Sequence, residues 1–392
     1  MSRLSPVRIL SIAHPAIGRT AERLRYRPLA ARLDIDVHLV VPERWQEFGR
    51  SILADPRGDP GITVHVLPIL LPHAGRMNWY LHFYPGLRGL VNRLRPDVIH
   101  LWEEPWSVVA LQASFLKDRA ALVLEVDKNI LKRLPPPFEA MRRHVLRRTD
   151  HVLARSADAA FVVRASGYRG PVSLIGYGVD QEMFFPLAES AMKAPEARCL
   201  HIGYVGRIVE EKGLDDALDA IVQTRSSVTL AIMGEGPYES RLRERIHRLQ
   251  LASRVTFQAW GSPAEVANFM RSLDVLILLT RTTPTVREQF GRVIVEAQSC
   301  GVPVIGSTCG AIPEVIGEGG WIVPERDPGA LAKVLDSVAT DPCVRRFGSL
   351  AAHRNVATRF TLETVAQGLV RAWMAAACRA SNTAGRPETK EL

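Results

Sequence analysis

The chain is short of three things, and each shortage narrows what it can be. Its five cysteines, at 199, 300, 309, 343 and 378, are scattered, odd in number and free of any C-x-x-C or Cys/His cluster, which fits a reduced, cytoplasmic compartment and no structural metal. No apolar stretch approaches the roughly 18 residues that a membrane-spanning helix needs, so any membrane contact is expected to be peripheral. The run from Val7 to Ala13 is short and carries Arg8, which makes it a first strand rather than a signal peptide. Basic residues are also in short supply in one place: residues 181–392 hold 24 Lys and Arg against 24 Asp and Glu, so the whole net charge of +9 comes from residues 1–180, with 26 against 17. A basic N-terminal half points to an acidic partner or an anionic membrane surface, or simply to an arginine-rich composition. No nucleic-acid partner is expected.

What is present reads as an ordinary soluble globular protein, 47% apolar and 23% charged. At 392 residues it is longer than one hydrophobic core normally covers, so two domains are expected. Val7–Ile12 reads as a buried strand, followed by the loop His14-Pro15-Ala16-Ile17-Gly18 and a helix over 20–32. Gly18 is the residue of that loop that can let backbone approach a ligand. Further strands are expected at 37–41, 64–67, 96–102, 122–126, 151–154 and 172–175, with helices over 138–148 and 157–166. Strand, helix, strand at this spacing is a parallel α/β signal. The strand from Pro96 to Trp102 runs into Glu103-Glu104-Pro105-Trp106. Open parallel sheets bind ligands beyond the carboxyl ends of their strands, so His100, Glu103 and Glu104 are candidates for chemistry. Between Asn78 and Arg95, aromatic residues alternate with Arg88, Arg93 and Arg95, a pattern suited to a lipid head-group surface, a basic acceptor groove or plain helix packing.

Residues 186–198 lack periodicity and read as a linker, after which a second strand series begins: 201–205, 228–233, 255–257, 275–279, 302–305 and 321–323. The expected division is an N-terminal domain over 1–185, the linker over 186–198, a C-terminal domain over 199–360, an amphipathic helix over 361–380 packing back across the N-terminal domain, and a polar tail over 381–392. Two Rossmann-like domains facing a cleft are the expected architecture, with the cleft as the site.

The second series carries the chemistry. Its first strand ends in Gly206-Arg207, followed by Glu210-Glu211-Lys212-Gly213. Arg207 and Lys212, five apart in a glycine-flanked loop, can converge on one diphosphate, the Arg by a fork and the Lys as a point charge; paired with Glu210 and Glu211 they would be surface ion pairs instead. Gly234-Glu235-Gly236-Pro237 and Gly310-Ala311-Ile312-Pro313-Glu314 each follow a strand. Glu288 and Glu296 are separated by seven residues, with Phe290-Gly291 between them. If both lie on one helix they fall within about 80° of each other. If Gly291 opens the helix, Glu288 hangs in the loop, and the N–H groups around Phe290 and Gly291 form a phosphate site.

In this order and spacing, Gly206-Arg207, Lys212-Gly213, Gly234-Glu235-Gly236-Pro237, Glu288 and Glu296 with Phe290-Gly291, and Gly301-Val302-Pro303-Val304-Ile305 resemble the retaining glycosyltransferases of family 4, which have the two-domain GT-B fold. The resemblance is strong over 200–325 and weaker in the N-terminal half. It implies that Arg207 and Lys212 hold the donor diphosphate, that Glu288 contacts donor-sugar hydroxyls, that Phe290 and Gly291 offer backbone N–H groups, and that Glu296 takes the ribose hydroxyls. The loop from Phe257 to Trp260 follows the strand where the family binds the base. Fixed cations and helix-end dipoles stabilise a leaving diphosphate without reorganising, so neither a cofactor nor a metal is expected, and no Asp-x-Asp motif is placed to hold one.

The sequence departs from the family pattern in three places. Trp102-Glu103-Glu104-Pro105 stands where many relatives have His followed by Glu-Pro, so His100, Glu103 and Glu104 share the candidacy for the reaction centre. Tyr177 stands where relatives often have Asn, and the first loop lacks paired glycines. The expected activity is metal-independent transfer of a sugar, with retention, from a UDP- or GDP-linked donor to a glycan or lipid-linked acceptor. The alternatives are a nucleotide-sugar epimerase of the same fold and a non-catalytic sugar-nucleotide or glycan-binding protein.

Overall fold

Near-continuous apolar strands need a sheet covered on both faces, which is how parallel sheets are built. The computed structural model, which describes residues 6–47, 50–71, 78–186 and 199–384, holds two such sheets. The chain divides into two compact units, Met1–Gly178 with Leu362–Leu392, and Val179–Thr361.

The described residues of the first unit carry β1 Val7–Ile12, β2 Ile35–Pro42, β3 Arg44–Glu47, β4 Arg50–Leu53, β5 Ile62–Leu67, β6 Val98–Trp102, β7 Ala121–Val126, β8 His151–Ala154 and β9 Val172–Leu174. Strands β3 and β4 pair as a separate antiparallel hairpin. The others form one parallel sheet in the order β5-β2-β1-β6-β7-β8-β9. The second unit carries β10 Leu200–Val205, β11 Val228–Met233, β12 Val255–Gln258, β13 Val275–Leu278, β14 Val304–Ser307 and β15 Gly320–Val323, parallel in the order β12-β11-β10-β13-β14-β15. Counted within each unit and without the hairpin, both sheets contain the doubly wound order 3-2-1-4-5-6. The α/β class and the two Rossmann-like units are therefore as the sequence predicts. The strand order reverses between β1 and β6 in one unit and between β10 and β13 in the other, and such switch points leave a crevice at the carboxyl ends of the strands.

Several expected bounds shift. The helix over 20–32 is instead one α-helical turn, Ala21–Leu24, and a 3-10 turn, Arg27–Ala31; Pro28, with no N–H to donate, bars a continuous helix. The β3–β4 hairpin escaped the sequence reading because its four-residue strands contain no run of β-branched residues. The division between units falls after Gly178 rather than at 185. Val179 N–H donates to the Phe360 carbonyl at 2.9 Å and the Ser299 hydroxyl to the Phe184 carbonyl at 2.6 Å, which ties this stretch to the second unit. Of the expected linker only Pro186 lies among the described residues, and the tail beyond Ala384 lies outside them.

The last helix, Leu362–Ala384, returns to the first unit. Its apolar stripe Val365, Leu369, Trp373 and Ala376 is buried in the same core as Ile9 of β1, Val37 of β2, Val123 of β7 and Leu153 of β8. The spacing of that stripe is that of one helix face.

Candidate active site

In the second unit, glycines bring the loops to the switch point. Gly206 and Gly234, directly after β10 and β11, have φ of +153° and +148°, and a Cβ on Gly234 would lie 1.9 Å from the Gly206 carbonyl oxygen. The two loops therefore run backbone against backbone, joined where Ile208 N–H donates to the Glu235 carbonyl at 2.9 Å. Arg207 is exposed at the crest, and its carbonyl accepts the Tyr204 hydroxyl at 2.7 Å. Gly213, at φ +68°, caps the helix Leu214–Gln223 and sits against the end of β13: a Cβ there would meet the Leu279 carbonyl oxygen at 2.2 Å.

That contact delivers Lys212 to the far side of the switch point. Its Nζ lies 2.6 Å from Glu288 Oε2 and 3.3 Å from Thr280 Oγ1, and the Thr280 hydroxyl donates to the same Glu288 oxygen at 2.9 Å. The backbone of Glu288 is held by the loop after β14, where Ala311 N–H donates to the Glu288 carbonyl at 3.0 Å. Gly310, at φ +57°, permits that approach, since a Cβ on it would lie 2.3 Å from the same oxygen. The glycine motif at 310 thus positions Glu288.

Gly291 settles which of the two helix geometries holds. It caps the helix Arg292–Ser299 in the left-handed region (φ 80°, ψ 67°) with no side-chain cap. Glu288 is therefore in the loop before the helix and Glu296 is the fifth residue within it, so the arrangement with both carboxylates on one helix is not formed. The helix, with its positive dipole end, begins four residues after Glu288. Phe290 is buried, its ring edge-on to Phe360 with centroids 5.5 Å apart. Glu296 is half-buried, and Trp260 is exposed on the loop after β12.

Two neighbours were missed from sequence. Thr280 bonds both Lys212 and Glu288, and Arg281 makes a bidentate pair with Asp216 at 2.9 and 2.7 Å. Their place just beyond a buried strand was the available signal, but nothing local identified β13 as the switch strand.

At the switch point of the first unit the structure separates the three reaction-centre candidates. His100 is fully enclosed: its Nδ1 lies 3.0 Å from Ser11 Oγ, its Nε2 lies 3.1 Å from Glu125 Oε2, and its ring packs on Trp373. A ring so engaged positions Glu125 and does not face a ligand. Glu104 accepts the N–H groups of Asp127 and Lys128 at 3.0 and 2.9 Å, and burial pushes its carboxyl up to about 7. Glu103 is buried with Oε1 2.6 Å from His14 Nδ1 and 3.4 Å from His82 Nε2. Burial pushes the Glu103 carboxyl up, but the two imidazoles outweigh it and hold it at about 2. Gly18 has extended backbone (φ −100°), and a Cβ there would make only ordinary contact with Thr20, so the chain's own packing does not demand glycine at that position.

The departures at Trp102 and Tyr177 prove to be parts of one assembly. Arg25 pairs with both Glu125 oxygens at 2.7 and 2.8 Å and stacks 4.0 Å over Trp102. Arg155 bonds Glu125, pairs with Asp127 at 2.7 Å and stacks 3.8 Å over Tyr177. Trp102 Nε1 and the Tyr177 hydroxyl both donate to Asp127, at 2.9 and 3.2 Å.

Comparison with known proteins follows the same division. A model described as "Glycosyl transferases group 1" matches residues 196–354, and one described as "Glycosyltransferase Family 4" matches residues 28–183. D-inositol 3-phosphate glycosyltransferase of Streptomyces avermitilis is 29% identical over 226 residues, 52% of this chain and 47% of that protein. The putative colanic acid biosynthesis glycosyltransferase WcaL of Escherichia coli is 31% identical over 232 residues, 56% of this chain and 55% of that protein. The chain spans about half the length of these curated relatives. Among solved structures, Anabaena HepE in complex with UDP and glucose aligns with a TM-score of 0.67 at 21% identity, covering 93% of this chain and 98% of that one. Sucrose-phosphate synthase from Thermosynechococcus elongatus aligns at 0.70 and 18%, covering 97% and 100%. At such identities these two structures establish the fold alone.

Proposed function

The chain belongs to the glycosyltransferases of group 1 and family 4, and on that premise we propose that it transfers a sugar from a nucleotide-sugar donor to an acceptor hydroxyl with retention of configuration. The observation that carries the proposal is the cluster of Lys212, Thr280 and Glu288 at the switch point of the second unit. Without a donor, Glu288 holds Lys212. A diphosphate offers Lys212 a more highly charged partner, shared with Arg207, and frees Glu288 to accept donor-sugar hydroxyls. As the sugar–phosphate bond breaks, negative charge grows on the leaving diphosphate, and these cations with the helix end at Gly291 stabilise it. No metal is required at that position. Glu296 takes the ribose hydroxyls, and Trp260 lies on the loop assigned to the base.

UDP-hexoses are the first donors to try, because the HepE structures hold UDP and UDP-glucose; GDP-linked sugars come next. Names among the relatives, such as colanic acid biosynthesis glycosyltransferase and lipopolysaccharide core mannosyltransferase, favour a glycan or lipid-linked acceptor in surface polysaccharide synthesis. The described residues contain no helix long and apolar enough to cross a membrane. The proposed location is the cytoplasm, with peripheral contact between the basic half and an anionic membrane. The test is a thermal-shift screen of UDP- and GDP-sugars, where ligand at 100 times its dissociation constant adds about 2.7 kcal/mol to the folded state. Turnover follows with the donor that stabilises. Free nucleoside diphosphate released only with acceptor, and a product of unchanged anomeric configuration, are expected. Sugar interconversion without acceptor would establish the epimerase instead, and stabilisation without turnover on any acceptor would establish a binding protein.

A further inference from the structure

We propose that the first unit holds a divalent transition-metal ion, of the zinc class, between His14, His82 and Glu103. These residues come from three separate segments: His14 from the 3-10 turn after β1, His82 from just beyond the turn Asn78–Leu81, and Glu103 from the end of β6. All three are buried, and their ligand atoms lie within 4.8 Å of one another.

The donor set suits such an ion. Two imidazole nitrogens and a carboxylate oxygen, without thiolate, make a three-ligand site with a fourth position for water. With bonds of about 2.0–2.1 Å to a tetrahedral ion, neighbouring ligand atoms stand about 3.3 Å apart. His82 Nε2 and Glu103 Oε1 are already 3.4 Å apart, while His14 Nδ1 and Glu103 Oε1, at 2.6 Å, would open by about 0.7 Å to admit the ion.

A second observation concerns the other nitrogen of His14. Its Nε2 is buried without a hydrogen-bond partner among the described residues, and the ring lies between Trp45 and Trp79, with centroids 4.4 and 5.0 Å away. If neutral His14 donates from Nδ1 to Glu103, Nε2 carries a lone pair that nothing there can satisfy, a desolvation cost of about 1–3 kcal/mol. With a metal on Nδ1, Nε2 carries the hydrogen instead and presents it to aromatic rings, a contact such rings accept. The ion would tie the turn after β1 to the end of β6 across the switch point. This site shares no residue with the cluster at Lys212 and stands whether or not the donor chemistry is as proposed.

The test uses the full chain, stripped with a chelator and then dialysed against zinc or cobalt(II). One zinc per chain is expected, with a raised melting temperature, because an ion that binds only the folded state stabilises it. His82→Gln and His14→Asn should each weaken zinc binding by roughly tenfold or more, since loss of even an outer-shell partner weakens metal sites on that scale. The cobalt form should show visible ligand-field bands without thiolate charge transfer, which separates this site from binding at the exposed Cys343 and Cys378. Absence of zinc uptake, uptake unchanged when His82→Gln and His14→Asn are combined, or a cobalt spectrum dominated by thiolate would overturn the proposal. The cobalt spectrum needs no variant, so a thiolate-dominated spectrum overturns the proposal even if a substitution fails to fold.

Discussion

Lys212 and Glu288, at the switch point of the unit spanning Val179–Thr361, keep 20% and 15% of their side-chain surface open, whereas Arg25, Arg155 and Glu125, at the corresponding end of the other sheet, keep 2%, 0% and 0%. The same strand order therefore supports two treatments of charge. The first pair keeps both charged groups within reach of solvent. The closed network does not: its charges Arg25, Arg155 and Glu125 are buried, with His100 bonded to Glu125 and the more open Asp127 to Arg155, and removing one of those three charges leaves another uncompensated. One switch point leaves its charged side chains partly open to solvent, and the other encloses them.

That contrast is sharpest when one charge is removed from each unit. Glu125→Gln should have the largest effect, a loss of about 3–5 kcal/mol of folding stability, because it leaves two buried guanidinium groups facing a neutral amide. Denaturant titration reads it as a lower midpoint at unchanged slope; a loss below about 1 kcal/mol would mean that the network tolerates an uncompensated charge. Lys212→Ala should do the reverse, leaving the melting curve almost unmoved while turnover falls on the order of 10², the scale of one transition-state stabiliser. Near-normal activity in that variant would remove Lys212 from the diphosphate.

The division of labour within the open site is a finer test. Glu296→Gln should weaken the free nucleoside diphosphate and the sugar nucleotide alike, by about tenfold, the worth of one charge-assisted hydrogen bond of about 1.5 kcal/mol. Glu288→Gln should leave the free diphosphate nearly unchanged and impair only the sugar-bearing ligand. Calorimetry with both ligands checks this, and equal losses in both variants would make the two carboxylates a single structural unit.

The smallest effect belongs to the closed unit's periphery. His151 lies between Arg379, whose Nη2 is 3.1 Å from Nδ1, and the Ser173 hydroxyl, 2.9 Å from Nε2. Burial, with the Arg379 charge, lowers its pKa to about 4, from 6.5. The folded ring thus stays neutral while the unfolded ring takes a proton, so this group withdraws stability as pH falls from 6.5 towards 4. His151→Gln should flatten that part of the stability profile, and a profile identical to the wild type would show that the ring is protonated in the fold.

The second unit was more legible than the first because its motifs are written in short loops. Arg207, Lys212, the glycines at 206, 213 and 234, and the pair Glu288 and Glu296 are each identifiable from a few consecutive residues. The left-handed backbone at Gly213, Gly291 and Gly310 is the physical reason glycine marks those places. In the N-terminal half the same kind of reading stopped at three equal candidates, since a strand-end His or Glu looks alike whether it faces a ligand or a salt bridge. What separated them was the set of partners, Ser11 and Glu125 for His100, His14 and His82 for Glu103, the backbone of the 127–128 turn for Glu104.

By itself, then, the sequence determined the α/β class, two Rossmann-like units, most strands and the loops that carry Lys212 and Glu288, because apolar runs and glycine positions are properties of neighbouring residues. Only the tertiary structure decided the β3–β4 hairpin, the place of Thr280 and Arg281, the bundle of Trp102 and Tyr177 with two arginines, and the grouping of His14, His82 and Glu103. Those arrangements join residues as far apart as 89 positions for His14 and Glu103 and 100 for Arg25 and Glu125. Their meeting depends on which strands lie side by side at the switch point, and that order is set by the packing of whole sheets rather than by any local run of residues.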